Sequence, residues 1–474
     1  MSTALETRPP AEAAAAPAEQ APAPRGLLPV VLTATFMTAL DTFVVNVAVP
    51  SVQADLGAGP AVVQWVMAGF GLALAVGLVT AGRLGDRYGR RRVFALGLAL
   101  FTLASAGCGL APTAAALVGG RVAQGLAAAL MGPQVLAILR TAFSGAAQAR
   151  AFARYGLTMG IGAVFGQLIG GLLIRADLLG LGWRSCFLIN LPIGLAALAA
   201  VRRCLPESRA PQRPGLDPVG VLLVSVALTA LVLPLIQGPG LHWPLWTVLC
   251  LAAAGVLLAA FAVHQHRTTA TGTPLVDTRL FRGRAFRTGL LAQLAFWLGQ
   301  ASFFLVLALH LQLGRGLDAL GSGLVFTAIG LGYLLTSNAT HLVTARLGER
   351  RTITVGGLLM AVGLGLLALA AHDAAEASVW WLAPGLFVDG LGMGLVIAPV
   401  TTVVLAAVEP ELAGAAAGVV ATVQQVGGAV GIALIGLLYY GAGDPTAAFG
   451  RSVTALAVLE LVLVGLVRLL PRRS

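Results

Sequence analysis

The 474-residue chain contains no lysine, and only 10% of its residues are charged. Soluble domains carry about 25% charged residues, so a soluble globular fold is excluded. A mean hydropathy of +0.90 places the chain among polytopic membrane proteins. All 30 basic residues are arginine, against 19 acids. With the abundance of alanine and glycine, this suggests a GC-rich genome. The net charge of +11 would suit a nucleic-acid binder, but its arrangement between apolar runs argues otherwise. The four cysteines, Cys108, Cys186, Cys204 and Cys250, are scattered singly. They form no metal-ligand spacing and no disulfide framework. No Walker-type phosphate loop occurs, which argues against ATP-driven transport. The glycine runs at 160–162 and 390–394 lie inside apolar segments with no preceding strand, so they are not dinucleotide loops. His264-Gln265-His266, expected in a loop, offers two imidazoles without further ligands. No Ser/His/Asp or Cys/His cluster suggests an enzyme. No metal and no cofactor are expected.

What the chain has in abundance is long apolar runs. A helix needs about 20 mostly apolar residues to cross a bilayer. Fourteen such spans are expected, near 27–50, 60–81, 93–110, 114–139, 152–174, 185–202, 217–236, 244–263, 286–312, 320–345, 352–371, 378–399, 412–438 and 452–470. Residues 1–26, rich in Ala, Pro and Glu, are expected to be disordered and cytoplasmic. They lack a clear cleavage site, so the first span is expected to be a retained helix.

Arginine placement orients the spans. With the N-terminus inside, 25 arginines fall on the inner side, four on the outer side (Arg175, Arg184, Arg315 and Arg451), and Arg121 within a span. Both termini are therefore expected in the cytoplasm. Trp65, Trp183, Trp243, Trp246, Trp380 and Trp381 fall at outer ends, as an interfacial belt should. Trp297 alone lies in mid-membrane.

Asp41 is a costly residue for the first span. A carboxylate at that depth normally faces a partner or a water-filled cavity. Proton-coupled carriers use such groups, although an interhelical contact would also account for it. Two more acids are buried by sequence. Asp389 lies in span twelve, where a coupling role and an interhelical hydrogen bond are both open. Glu460 lies in span fourteen, where packing suffices. Gln293, Trp297, Gln300 and Phe304 follow one another at i, i+4, i+7 and i+11 on one face of span nine. An aromatic plate between amides suits an amphipathic ligand. The same face would also serve as amide contacts between helices.

The chain carries a weak internal repeat. Gly82-Arg83-Leu84-Gly85-Asp86-Arg87-Tyr88-Gly89-Arg90-Arg91-Arg92 follows span two, and the shorter Arg346-Leu347-Gly348-Glu349-Arg350-Arg351 follows span ten. Gln124-Gly125-Leu126 in span four is echoed by Asp389-Gly390-Leu391 in span twelve. Two six-helix halves with two extra helices between them fit the pattern. The expected domains are 27–203 and 286–474, joined through 204–285.

These motifs resemble those of the major facilitator superfamily, within it the fourteen-helix drug:proton antiporter branch. The resemblance covers essentially everything after residue 26. Residues 82–91 match the family's G-x-L-x-D-R-x-G-R-[RK] loop. The run Leu40 to Pro50 is similar to the branch's first-helix pattern, with Thr42 and Phe43 shifted by one. Arg121-x-x-Gln124-Gly125 matches its fourth-helix motif. The run from Trp183 to Gly194 resembles its fifth-to-sixth-helix segment. The fifth-helix antiporter motif is altered. Gln167 stands where proline is expected in Gly166-Gln167-Leu168-Ile169-Gly170-Gly171. Gly162, Gly166 and Gly170 keep a four-residue spacing that permits close helix packing.

The resemblance implies an all-α major facilitator fold that exports drug-like or natural-product molecules in exchange for protons, by alternating access. Uptake, facilitated diffusion, and a non-transporting sensor with the same fold are the alternatives. It implies a multi-pass protein of the bacterial plasma membrane. Expected partners are a small-molecule substrate, protons and lipid, with no nucleic acid and a monomeric state. The proton gradient would be the energy source. At about 1.5 Å per residue, Asp41 lies roughly 14 Å from the outer end, Arg121 roughly 11 Å and Gln124 roughly 15 Å. The expected proton carrier is Asp41, tuned by Arg121 and Gln124, with Asp389 either a second coupling residue or an interhelical hydrogen-bond partner. Asn46 is expected to join Gln293, Trp297, Gln300 and Phe304 around substrate. Gly82, Gly85, Asp86, Arg87, Gly89, Arg90 and Arg91 would form a cytoplasmic gating loop.

Overall fold

The computed structural model describes residues 24–209, 215–272, 274–372, 378–409, 412–442 and 444–470. The expected disorder of residues 1–26 falls almost wholly outside them. Among the described residues, fourteen helices are long and apolar enough to cross a membrane. They are α1 (Leu27–Leu56), α2 (Pro60–Tyr88), α3 (Arg90–Gly109), α4 (Ala114–Ala142), α5 (Gly145–Ala176), α6 (Gly182–Cys204) and α7 (Pro218–Gln237). Then follow α8 (Leu245–Thr271), α9 (Arg284–Gly314), α10 (Ala319–Leu347), α11 (Glu349–His372), α12 (Val379–Ala406), α13 (Ala413–Tyr440) and α14 (Pro445–Arg468).

Helices α1–α6 form one bundle and α9–α14 a second. In the first, α4 packs on α2 and α3, and α1 on α5; in the second, α12 packs on α10 and α11, and α9 on α13. Glycine permits these approaches. Gly125 of α4 lies against the Phe70 carbonyl of α2, and Gly390 of α12 against the Ile329 carbonyl of α10. The expected spacing in α5 serves the same end: Gly162 faces Ala39 of α1, Gly166 faces Phe43, and Gly170 faces Val44 and Val47. Where side chains are this small, dispersion contacts replace the missing hydrophobic drive between helices in lipid.

The bundles meet along two seams, α2 on α13 and α5 on α10. The inserted pair α7–α8 leans on α2 and α13 through α7. The α5–α10 seam is tight at the end away from the arginine-rich turns. There Gly171 abuts the Ala319 carbonyl, and the Cβ position of Gly323 lies 2.8 Å from the Gln167 carbonyl oxygen. Gln312 also donates to the Val47 carbonyl at 3.1 Å. Toward the arginine-rich end, Gly156 of α5 and Gly418 of α13 have no neighbouring group where a Cβ would stand.

Three expected boundaries are corrected. Helix α1 runs six residues past Pro50 to a left-handed cap at Gly57 (φ 60°). A proline removes one backbone donor but need not end a packed helix. Helix α8 runs on through His264 and His266, so these residues are helical. Residues 82–92 are not a loop either. Helix α2 continues to Tyr88, only Gly89 departs from helical geometry (φ 110°), and α3 begins at Arg90. Only glycine adopts that backbone conformation without strain.

Candidate functional site

The buried polar centre of the first bundle is built on Asp41. Arg121 Nη1 lies 2.5 Å from Asp41 Oδ2. Gln124 Nε2 donates to Asp41 Oδ1 at 2.6 Å and its Oε1 accepts from Arg121 at 2.8 Å. Asn190 of α6 donates to the same Asp41 oxygen at 3.2 Å and to Ser105 Oγ of α3 at 3.0 Å. Arg121 Nε donates to the Val66 carbonyl of α2 at 2.9 Å, and the guanidinium lies over the Phe70 ring at 4.3 Å. Asp41, Gln124 and Asn190 are fully buried. A buried charge is tolerable when it is paired and hydrogen-bonded; here five helices supply the partners.

The sequence brings Asp41, Arg121 and Gln124 to one level, and the structure joins them directly. Asn190 and Ser105 were not expected. Asn190 sits inside the Trp183-to-Gly194 segment, but its direction into the bundle is a tertiary fact that spacing does not carry.

Beside this centre lies a cavity of about 410 Å³ between the bundles, lined by α1, α2, α4, α5, α9, α10, α12 and α13. Arg121 borders it, and Asp41 lies one step behind Arg121. Asn46, Trp297, Gln300 and Phe304 line it as expected, joined by Gln167, Tyr333, Gln424 and Gln425. Phe304 stacks on Phe326 at 5.8 Å and meets Phe43 edge-on at 5.4 Å. Asn46 Oδ1, Gln300 Oε1 and both polar atoms of Gln167 have no hydrogen-bond partner among the described residues. Buried polar groups left this way are available to a ligand or to water.

Gln293 is corrected. It is fully buried and does not line the cavity. Its Oε1 accepts from Trp297 Nε1 at 3.1 Å and from Gln424 at 3.2 Å, while its Nε2 donates to Thr401 at 2.7 Å. One turn of helix separates it from Trp297, so it holds the indole from behind. Asp389 is not brought to this site either. It is buried in the second bundle, neither oxygen has a hydrogen-bond partner among the described residues, and it does not line the cavity.

The arginine-rich turn is a network in its own right. Arg90 pairs with Asp86 at 2.9 Å. Arg83 donates to the carbonyls of Gly215, at 2.8 Å, and Pro274. The backbone N–H of Arg91 donates to Glu207 at 3.1 Å, and Gly85 lies against the Gln134 side chain of α4. Gly82 approaches Pro133 of α4, and Arg87 is exposed over the Tyr88 ring. Arg83 thereby ties α2 to both ends of the α7–α8 insertion. There Asp217 caps α7 and accepts from His264 and Gln265 at 2.8 Å each. Burial opposes the charge on Asp217, but the bonds from His264, Gln265 and the Gly220 N–H outweigh it and hold its carboxyl below the ordinary range.

Residues 31–432 match the model of the Major Facilitator Superfamily. The chain belongs to that superfamily. It is 40% identical over 416 residues to the probable actinorhodin transporter of Streptomyces coelicolor, covering 87% of this chain and 72% of that one. It is 36% identical to the tetracenomycin C resistance and export protein of Streptomyces glaucescens, covering 86% and 74%. It is 35% identical to the cephamycin export protein CmcT of Amycolatopsis lactamdurans, covering 93% and 91%. Among solved structures, a POT family transporter bound to a thioalcohol-conjugated peptide superposes with a TM-score of 0.70 at 17% identity, over 94% of this chain and 98% of that one. The partially occluded, inward-open xylose transporter XylE of E. coli gives 0.63 at 14%, over 93% and 97%. At such identities the structural likeness concerns the fold. This major facilitator protein therefore has two six-helix bundles and two inserted helices around a shared central cavity.

Proposed function

We propose that this protein exports bulky, mostly apolar organic molecules of the antibiotic kind in exchange for protons. The observation that carries the reading is the Asp41–Arg121 pair standing at the wall of a cavity that both bundles share. The export-named relatives support the direction. The arginine asymmetry supports cytoplasmic termini and, with them, a cavity that opens toward the cytoplasm. On this reading the structure is inward-facing and ready to take substrate.

Asp41 is the proton carrier and Arg121 the residue that competes with the proton. While the guanidinium holds Asp41, the carboxylate is compensated and needs no proton. When water entering from the far side draws Arg121 away, Asp41 is left buried and uncompensated and a proton becomes its cheapest partner; on return to the inward-facing state Arg121 displaces that proton before substrate binds, so proton and substrate occupy the carrier in turn. Gln124 and Asn190 keep the carboxyl oriented throughout. Substrate meets the Phe43–Phe304–Phe326 aromatics and Trp297, with Asn46, Gln167 and Gln300 offering hydrogen bonds. The bundles then rock about this site, opening the α5–α10 seam and closing the arginine-rich end. The monomer is the functional unit in this scheme, and the proton gradient its only energy source.

Everted membrane vesicles with an imposed pH gradient test the proposal. Wild-type vesicles should accumulate substrate and show substrate-dependent proton movement. Asp41→Asn should bind substrate but lose gradient-driven accumulation. Accumulation at wild-type rates in Asp41→Asn would sink the carrier role.

A further inference from the structure

A second cavity, of about 500 Å³, lies between the inserted helices and the two bundles. Its inner wall is Ala75 and Val76 of α2 with Val419, Thr422 and Val423 of α13. Val224 and Leu228 of α7 and Phe261 and Ala262 of α8 face that wall, and residues 275–281 line the arginine-rich end. The space exists because α8 is held by little. It packs chiefly on α7 and on Thr278–Arg282, and most of its residues are exposed. One polar knot ties its end down: Gln265 donates to Asp217 at 2.8 Å and accepts from the Val276 N–H at 2.9 Å.

The two cavities stand back to back. On α2, Leu74 lines the central cavity while Ala75 and Val76 line the second. On α13, Gln424 and Gln425 line the central cavity while Thr422 and Val423 line the second. Only the α2–α13 seam stands between them. Away from the arginine-rich turns that seam is tight, with Gly436 pressed against the Gln64 side chain. At the level of the two cavities it is looser. There the Cβ position of Gly71 stands 3.7 Å from the Gln425 carbonyl oxygen, an ordinary contact.

The lining selects a ligand class. It is mostly aliphatic, and among the described residues no arginine and no acid borders it. A phospholipid headgroup would find no counter-charge there. The Thr422 hydroxyl is buried and has no hydrogen-bond partner among the described residues. Helical threonines commonly donate to a carbonyl one turn back, as Thr401 and Thr402 do here. A donor left free in an apolar space suits an uncharged ligand that carries a carbonyl or ether oxygen. The volume lies within the range of sites for drug-sized molecules.

We propose that this cavity is a second binding site for the mostly apolar molecules that the central cavity takes, entered beside α8 and emptied across the α2–α13 seam. The entry role rests on the export reading, whereas the binding does not. Benzophenone, an apolar ketone that inserts into nearby C–H bonds on irradiation, is the probe. With the purified protein in lipid nanodiscs, peptide mapping should find adducts in both cavities, saturable and displaced by excess diphenyl ether. Ala262→Trp fills the second cavity from the exposed side of α8. It should abolish adducts on 261–281 and 419–423 and keep those around Trp297, which also report that the variant is folded. Thr422→Val keeps the shape but removes the hydroxyl. It should weaken labelling of the second cavity about two- to tenfold, the usual worth of one hydrogen bond. Unsaturable labelling there, or labelling that neither variant changes, overturns the site. So does a phospholipid that co-purifies with the wild type and is lost from Ala262→Trp, because the cavity is then a lipid seat. In everted vesicles, Ala262→Trp should raise KM several-fold and leave the maximal rate within about twofold of wild type. An unchanged KM overturns the entry role. If wild-type vesicles accumulate nothing, the export reading falls and the entry role with it, while the labelling still decides the site.

Discussion

Arg121 stands between Asp41 and the cavity: its Nη1 is 2.5 Å from the Asp41 carboxylate, and it is Arg121 that borders the open space. Breaking a buried pair by removing one partner costs about 3–5 kcal/mol, because the other charge is left uncompensated. Asp41→Ala should therefore lower thermal stability in detergent markedly. Asp41→Asn, which keeps the shape and the bonds from Gln124 and Asn190, should lose less. The double variant Asp41→Asn/Arg121→Gln should recover most of the stability while remaining uncoupled. Melting curves of the three proteins check this order, and a stable Asp41→Ala protein would contradict it.

The cavity makes a graded prediction. Trp297 lines the cavity, and Gln293 accepts from its indole N–H from behind. Trp297→Ala should weaken binding of an aromatic substrate by about tenfold, equivalent to about 1.4 kcal/mol. Gln293→Leu should weaken it less, since the indole stays but loses its acceptor. Intrinsic tryptophan quenching reports the second variant, and a radiolabelled ligand the first. Equal losses would mean that Gln293 touches substrate after all.

Much of this architecture is legible along the chain, because lipid imposes length and apolarity on every span and charge on every turn. The Arg121–Asp41–Gln124 contact was visible because each residue is a costly exception in an apolar run. Asn190, Ser105 and Gln167 were harder. Small polar residues satisfy themselves against backbone in many apolar helices, so their presence alone signals little. Gln293 misled for a related reason: helical periodicity gives a face but not which turn of it meets the cavity. The extensions of α1 past Pro50 and of α2 to Tyr88 are not legible in the sequence, because proline and clustered arginines usually mark an end.

Asp217 ties the two inserted helices to each other, beside the carbonyls that Arg83 holds, and yields a pH prediction. Its carboxyl is held below the ordinary range by His264, Gln265 and the Gly220 N–H, against the opposing effect of burial. A depressed carboxylate stabilises the fold above its unfolded value, near 3.9, and that contribution fades as pH falls through the folded value. The α7–α8 attachment should thus hold at neutral pH and loosen only in strong acid. Asp217→Ala should remove this acid dependence and lower stability by about 1–3 kcal/mol at neutral pH, leaving buried donors unmatched. Hydrogen exchange at the start of α7 reads both effects; identical protection in variant and wild type would remove Asp217 as the anchor.

The α5–α10 seam offers a handle on the direction the molecule faces. Gly171 lies against the backbone of Ala319 and Leu320, where no side chain can move aside. Valine there cannot fit while the seam is closed. Overpacking of this kind typically costs about 1–3 kcal/mol, and a two-state carrier can relieve it by opening the seam. A bias of that size moves an equilibrium by roughly 5- to 150-fold. Gly171→Val should therefore populate the alternative state without substrate. Spin labels at Leu179→Cys and Leu317→Cys, with Cys204 and Cys250 replaced by serine, would flank the seam at this end. Their distance distribution should gain a longer component in the Gly171→Val protein and stay short in the parent. Transport should slow, because return to the state described here becomes the uphill step. If the distances are unchanged while the protein is merely less stable, the seam is a packing contact and not a gate.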